Sequence, residues 1–315
     1  MSGPNTGPGH GAQTEASAFE ELPDAPPQRA LKLTWLSKSA VLVVSFWVLL
    51  AFFGTFVAPY HEAEFIEEDL QGNYYDDPSF LPPSEQVWLG TDYIGRDILS
   101  RIVWGARTTL GISFAATALA YFIGITLGIA AAVAGGWVDM LLSRANDTLL
   151  AFPSFMLALI IIASFGSSIP LLICLAGLIY ASGVFRISRA LGQDIMVQDF
   201  VEAARARGEG IWWIISREIL PNAAMPLATD FGLRLIFVIL FISSLSFLGL
   251  GVQPPVADWG SMVRENLQGL GNGFGGGALA SLAPAVAIAS LTIAINLVVD
   301  DVSAHAGGSL AKKMV

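Results

Sequence analysis

The sequence predicts an all-α protein that crosses a membrane six times, and three observations predict it. The 315-residue chain is 54% hydrophobic and only 13% charged, about half the charged fraction of an ordinary soluble domain. Its mean hydropathy is +0.63. The apolar residues gather into runs of about 20, each long enough as a helix to cross roughly 30 Å of hydrocarbon. Lipid offers no hydrogen-bond partners, so such runs must satisfy their backbone internally, as helices.

Residues 1–35 are rich in Gly, Pro, Ala and Ser without periodicity, and read as a disordered cytoplasmic tail. Arg29, Lys32 and Lys38 precede an apolar run at 39–58, the centre of a first helix read at 36–60. A secretory signal has a shorter apolar core and a small-residue cleavage site, so this helix is expected to be retained. Residues 61–108 read as an extracytoplasmic segment with an interfacial helix. There Asp97 is positioned to cap a helix whose apolar face is Leu99, Ile102, Val103 and Ala106, with Arg96, Ser100, Arg101 and Arg107 expected to stay wet. The stretch 62–77 carries Glu62, Glu64, Glu67, Glu68, Asp69, Asp76 and Asp77 without a Lys or Arg, and reads as a solvated surface. Residues 109–310 read as a five-helix core, with spans at 109–134, 149–166, 168–186, 227–250 and 279–299 and a cytoplasmic loop at 187–226. The Gly-rich stretch 269–278 reads as a flexible outer loop.

Basic residues set the orientation. With both termini inside, the cytoplasmic segments hold most of them, including Arg144, Arg186, Arg189, Arg205, Arg207, Arg217, Lys312 and Lys313, against Arg96, Arg101, Arg107 and Arg264 outside. The net charge of −10 excludes a nucleic-acid footprint. Cys174, alone and within a span, reads as a small apolar residue rather than a disulfide partner or metal ligand.

Several chemistries have no residues to perform them. No Gly-rich loop ending in Lys-Ser/Thr occurs, so the chain is not expected to hydrolyse ATP or to need a cofactor. His10, His61 and His305 lie in tails or at an interface, so neither a metal site nor an intramembrane Ser–His centre is expected. Ion-coupled carriers place carboxylates or histidines within their spans. Here, apart from Asp300 and Asp301 at the last boundary, only Asp230 does so; Arg234 lies four residues on along the same helix face, and the two read as a pair near the cytoplasmic interface with Arg234 reaching for water. A channel or stand-alone carrier is therefore disfavoured.

The stretch 198–221 has the pattern of a docking surface. Val201, Ala204 and Arg205 share one side of a first helix, and Glu202, Arg205 and Glu209 are spaced for charge contacts. Gly208 and Gly210 permit a sharp turn. A second, aromatic helix begins at Ile211-Trp212-Trp213 and is expected to end at Pro221. Small residues beside a charged rim suit helix-in-groove recognition; an ordinary interfacial helix is the alternative.

Glu202, Ala203, Ala204, Gly208, Leu220 and Pro221 resemble the EAA loop of ABC-importer permeases. Leu89-Gly90-Thr91-Asp92 through Gly95-Arg96-Asp97 to Arg101, followed by Gly105-Ala106-Arg107, resembles the signature of the dipeptide/oligopeptide/nickel type. Phe247-Leu248-Gly249-Leu250-Gly251 with Trp259-Gly260 resembles that subfamily's loop after the fifth span. Phe200 stands where the family usually has Tyr, and the 300–305 end follows the family's close only loosely.

The resemblance implies a type I importer permease in a prokaryotic plasma (inner) membrane. It implies a homologous second permease, two ABC ATPase subunits and an extracytoplasmic substrate-binding protein as partners. Glu202 would anchor the ATPase contact, Ala203 and Ala204 would fit its cleft beside Arg205, and Gly208 would set the bend. The cargo expected is a dipeptide or oligopeptide, with nickel chelates, opines or oligosaccharides as alternatives, and a sensor or scaffold without transport as the rival. Polarity within lipid nominates Ser243, Ser246, Thr292 and Asn296 as pathway-lining residues, or else as makers of interhelical hydrogen bonds.

Overall fold

The predicted apolar runs are helical, with one broken in its course, and most of the helices outgrow their runs. In the computed structural model, residues 35–274 and 277–311 are described, with 305–311 by backbone alone. The expected tail, apart from Trp35, lies outside the described residues, as do Gly275, Gly276, Lys312 and Lys313. The chain forms α1 (Trp35–Val57), α2 (Ile98–Ala134), α3 (Gly136–Leu150), α4 (Ser154–Phe165) and α5 (Ile169–Met196). Short α6 (Asp199–Ala206) and α7 (Ile211–Ile214) lead into α8 (Leu220–Phe247), and α9 (Trp259–Glu265) and α10 (Ala278–Ala311) follow.

Among the described residues, five helical stretches are long and apolar enough to cross a membrane: α1, α2, α5, the continuous Ile211–Phe247 and Ala278–Ala304. The expected span at 149–166 is different. Its residues are split between α3 and α4, which are bent by 79° across a short break. Pro153 sits in that break at φ −58° and ψ 118°, and a proline disfavours the helical region for the residue before it. The 12 residues of α4 rise only about 18 Å, so a sixth crossing requires α3 and α4 together.

The expected interfacial helix before residue 109 is also corrected. Residues 98–108 are the first turns of α2, which runs unbroken for 37 residues. At 1.5 Å per residue it is about 55 Å long, so one end extends beyond the hydrocarbon. Asp97 caps it as expected, accepting from the Ser100 amide at 2.8 Å.

Helices already in lipid gain little from hiding apolar surface from one another, so close approach and hydrogen bonds hold them. The α2–α5 contact is built this way. Ala116, Ala120 and Ala131 are fully buried, and Gly124 and Gly128 continue the small-residue face. A Cβ at Gly128 would meet the Phe185 carbonyl oxygen at 2.7 Å and Ser188 Cβ at 2.8 Å. α1 is fastened by Trp47, which stands edge-on to Trp259 of α9 at 4.8 Å and donates its indole N–H to Ser290 of α10 at 3.0 Å.

Candidate functional site

α6 is a helix with a full face and an open one. Val201 and Ala204 are wholly buried, and Val201 packs in an apolar cluster with Ile195, Ile214 and Ile219. Glu202, Ala203, Arg205 and Ala206 are exposed. Asp199 and Glu202 occupy the first turn and Arg205 the last, each complementing the helix dipole. The stop is a Schellman motif: the Gly208 amide donates to the Arg205 carbonyl at 2.9 Å, and the Glu209 amide to the Ala204 carbonyl at 3.1 Å. Gly208 has φ +85° with nothing near its missing Cβ, so its glycine is a torsional requirement rather than a steric one. Arg207 then lies over the Trp213 ring at 5.8 Å.

Two expectations for this segment are corrected. Ala204 faces its own core instead of standing beside Ala203 on the open face. Pro221 does not end the second helix. α7 passes through a single π-turn, Ile215–Ile219, straight into α8, with Leu220 and Pro221 in the first turn of α8. Proline offers no N–H to an α-helical ladder, and the wide turn before it absorbs that loss: the Leu220 amide donates to the Ile215 carbonyl.

The 90–101 motif is a buried charge network rather than a wet face. Asp92 is fully buried and accepts from Arg96 Nε at 2.7 Å and Arg101 at 2.5 Å. Both guanidinium groups also reach Glu265 at the end of α9, at 3.1 and 3.2 Å. Two cations and two anions thus cancel within one cluster, the arrangement that makes buried charge tolerable. Ser100 is also buried, and only Arg107 of the four residues expected to be wet is exposed. Gly90 and Gly95 turn the chain at φ +84° and +86°, and the Thr91 hydroxyl donates to the Pro78 carbonyl at 2.6 Å. Sequence reasoning missed Glu265 and also Asn266, whose Oδ1 accepts from the Tyr93 amide at 3.0 Å.

Asp258, outside the spans, caps α9 by accepting from the Ser261 amide at 3.1 Å and takes a hydrogen bond from Thr109 of α2 at 2.9 Å. Burial raises its carboxyl above the usual carboxylate range, and the hydrogen bonds oppose that only in part.

The four nominated pathway residues separate. Ser243 and Thr292 come together on an open apolar groove of about 620 Å³ between α8, α9 and α10, with Phe155, Phe247 and Ile288 among its walls. The Ser243 hydroxyl is buried without a partner among the described residues. Ser246 instead faces the loop after α8, accepting from the Val252 amide at 3.3 Å. Asn296 is exposed and bonds to Asp300 at 3.2 Å.

Asp230 and Arg234 form their pair at 2.9 Å, with the arginine side chain partly exposed. Its guanidinium lies against Gly183 of α5, and Tyr121 of α2 donates to Asp230 at 2.5 Å. The pair therefore ties three spanning helices.

The profile of the family described as binding-protein-dependent transport system inner membrane component matches residues 124–305. The chain is 34% identical over 266 residues to the dipeptide transport system permease protein of Alkalihalophilus pseudofirmus, covering 84% of this chain and 83% of that one. It is 35% identical over 228 residues to the glutathione transport system permease protein of Pectobacterium atrosepticum, covering 72% and 73%. In fold it is similar to a chain of the MetNI methionine ABC transporter in an inward-facing conformation, with TM-score 0.52 and 19% identity over 66% of this chain and 97% of that chain. The charge-locked entry to α2, the Schellman-capped α6 and these likenesses converge: the chain belongs to the binding-protein-dependent transport inner membrane components, as an ABC-importer permease of the dipeptide/oligopeptide/nickel type.

Proposed function

We propose that this permease forms half of a translocation pathway for peptides of a few residues, driven by ATP hydrolysed on separate subunits. The observation that carries the reading is α6, whose inner face is filled by its own chain while Glu202 and Ala203 stand open beside a fixed turn. On this reading two ABC ATPase subunits receive that open face. Glu202 anchors the contact, Ala203 enters the partner's cleft, and Arg205 lies on its rim. Ala204 ties the helix to the core and Gly208 holds its exit. Leu220 and Pro221 pass the motion from the π-turn into α8. The cargo is supported by the relatives named for dipeptide and glutathione transport.

A second, homologous permease completes the pathway, and an extracytoplasmic substrate-binding protein delivers the cargo. The groove bearing Ser243 and Thr292 faces the pathway. Both termini and α6 lie on the cytoplasmic side, as the bias of basic residues favours, and residues 61–97 on the other. Closure of the ATPase pair then selects between two arrangements of the spans, an equilibrium biased by a ligand bound elsewhere.

The test is uptake of labelled dipeptide into vesicles holding the chain with all its partners. Uptake should require ATP, and Glu202→Lys should abolish it while the chain still inserts. Uptake by the chain alone, or normal uptake with Glu202→Lys, would refute external drive. ATP hydrolysis without any flux would leave a scaffold.

A further inference from the structure

The N-terminal ends of α2 and α5 border an open cavity of about 380 Å³ that the transport reading does not use, with Glu62, Trp104, Arg107, Thr108 and Ile173 among its walls. Its polar groups are opposed in sign and only partly committed. Among the described residues, Arg107 has neither a hydrogen bond nor an ion pair. The Thr108 hydroxyl is likewise without a partner, whereas Thr117 and Thr292 each bond back to their own helix at 2.8 Å. Across from them Glu62 is held by one oxygen, which accepts from the Ala257 amide at 2.7 Å, leaving the other oxygen open. Trp104 is fixed by its indole N–H on the Tyr60 carbonyl at 3.2 Å. Such an amphipathic ring is at home at headgroup level.

Below the cavity the surface of α2 changes character along one line. Gly111, Phe114, Ala118 and Phe122 follow Arg107 at helical spacing and all are exposed, with Phe114 at 57% and Phe122 at 72%. A cation, a hydroxyl and a carboxylate thus stand at the head of an apolar track in which small residues alternate with rings. A guanidinium binds phosphate through paired hydrogen bonds. A carboxylate beside it repels a purely anionic headgroup and attracts one that carries an ammonium.

We propose that this cavity is a phospholipid site selective for phosphatidylethanolamine: Arg107 and Thr108 take the phosphate, Glu62 takes the ammonium, and an acyl chain lies along Gly111–Phe122. A soluble zwitterion would match the charges but leave the track bare, so the lipid is the occupant. The site stands whether or not the cargo is a peptide.

The experiment is lipid retention by the full chain, extracted from nanodiscs of equal phosphatidylethanolamine, phosphatidylglycerol and phosphatidylcholine, delipidated stepwise and read by mass spectrometry. Phosphatidylethanolamine should be retained over phosphatidylglycerol by about tenfold, the scale of one charge-assisted contact. Glu62→Gln should erase that preference, and Arg107→Gln should release both lipids, with Arg107→Lys intermediate. Because Arg107 has no internal partner, its variants should keep the wild-type unfolding midpoint. Glycerophosphoethanolamine and a dipeptide, added in excess, should fail to displace the lipid. Equal retention of the two lipids by the wild type, or unchanged retention by Arg107→Gln, would overturn the proposal. So would displacement by the dipeptide, which would make the cavity a cargo subsite. Loss of the lipid when a second permease is bound would overturn it as well, since the track would then be a protein interface.

Discussion

Asp92 accepts hydrogen bonds from the Ile94 and Arg96 amides as well as from two guanidinium groups. Neutralising it leaves Arg96 and Arg101 with Glu265 as their remaining carboxylate, in a cluster water does not reach. Breaking one member of a buried charge set costs about 3–5 kcal/mol, so Asp92→Asn should lower the unfolding midpoint of the purified chain well below wild type. Tryptophan fluorescence during heating measures this, and an unshifted midpoint would mean the network contributes nothing. Asp258 provides a test in pH. Its native carboxyl holds the proton more tightly than an ordinary aspartate, which titrates near 3.8, so the native state binds more protons than the unfolded chain above that pH. The stability this confers is complete below about 3.8 and is lost as pH rises towards the native value, by at most about 1.4 kcal/mol per unit. Asp258→Asn does not titrate. Its midpoint should therefore gain on wild type as pH rises from 4, and a constant difference would refute the raised value.

At the scale of the element, α6 depends on one residue in the left-handed region. Gly208→Asn should keep most uptake, because Asn tolerates that conformation. Gly208→Ala should reduce it, because a Cβ there costs about 1–2 kcal/mol. Gly208→Pro should abolish it, since proline fixes φ on the other side and removes the amide bonded to Arg205. Uptake that does not follow this order would detach the turn from coupling. The helix and its stop were readable in the sequence because every signal lies within about two turns: apolar positions for one face, charges at the ends, glycine after the last turn. The break between α3 and α4 also had a local signal, Pro153, but the apolar run continues through it and length overrode punctuation. Pro221 misled in the opposite direction, since a π-turn upstream can absorb a proline that an α-helix cannot. The partners of the 90–101 motif carried no signal at all. Glu265 lies 164 residues from Arg101 and Tyr121 lies 109 from Asp230. A lone acid at the end of a short helix is indistinguishable from a surface residue until the fold places it. The Gly124 and Gly128 pair was readable in principle, as two glycines four apart in an apolar run mark a close helix contact.

For the whole molecule, orientation and the number of crossings are linked and can be read together. The proposed orientation, favoured by the bias of basic residues, has the α5–α6 junction inside and the segment between α1 and α2 outside. Between these two points the chain contains α2, the bent α3–α4 pair and α5. If the bent pair crosses, three crossings separate the points and they lie on opposite faces; if it turns back, two crossings leave them on the same face. Cys174 is the only cysteine in the chain, so Cys174→Ala gives a background for single reporters. Gln71 and Gln198 are both exposed and serve as the two positions. In spheroplasts expressing the chain, Gln71→Cys should react with a membrane-impermeant maleimide at once, and Gln198→Cys only after permeabilisation. Labelling of both without permeabilisation, or of neither, would mean that α3 and α4 form a re-entrant hairpin and that the core crosses one time fewer. The reversed pattern would keep the crossings but turn α6 away from the cytoplasm, where no ATPase could reach Glu202.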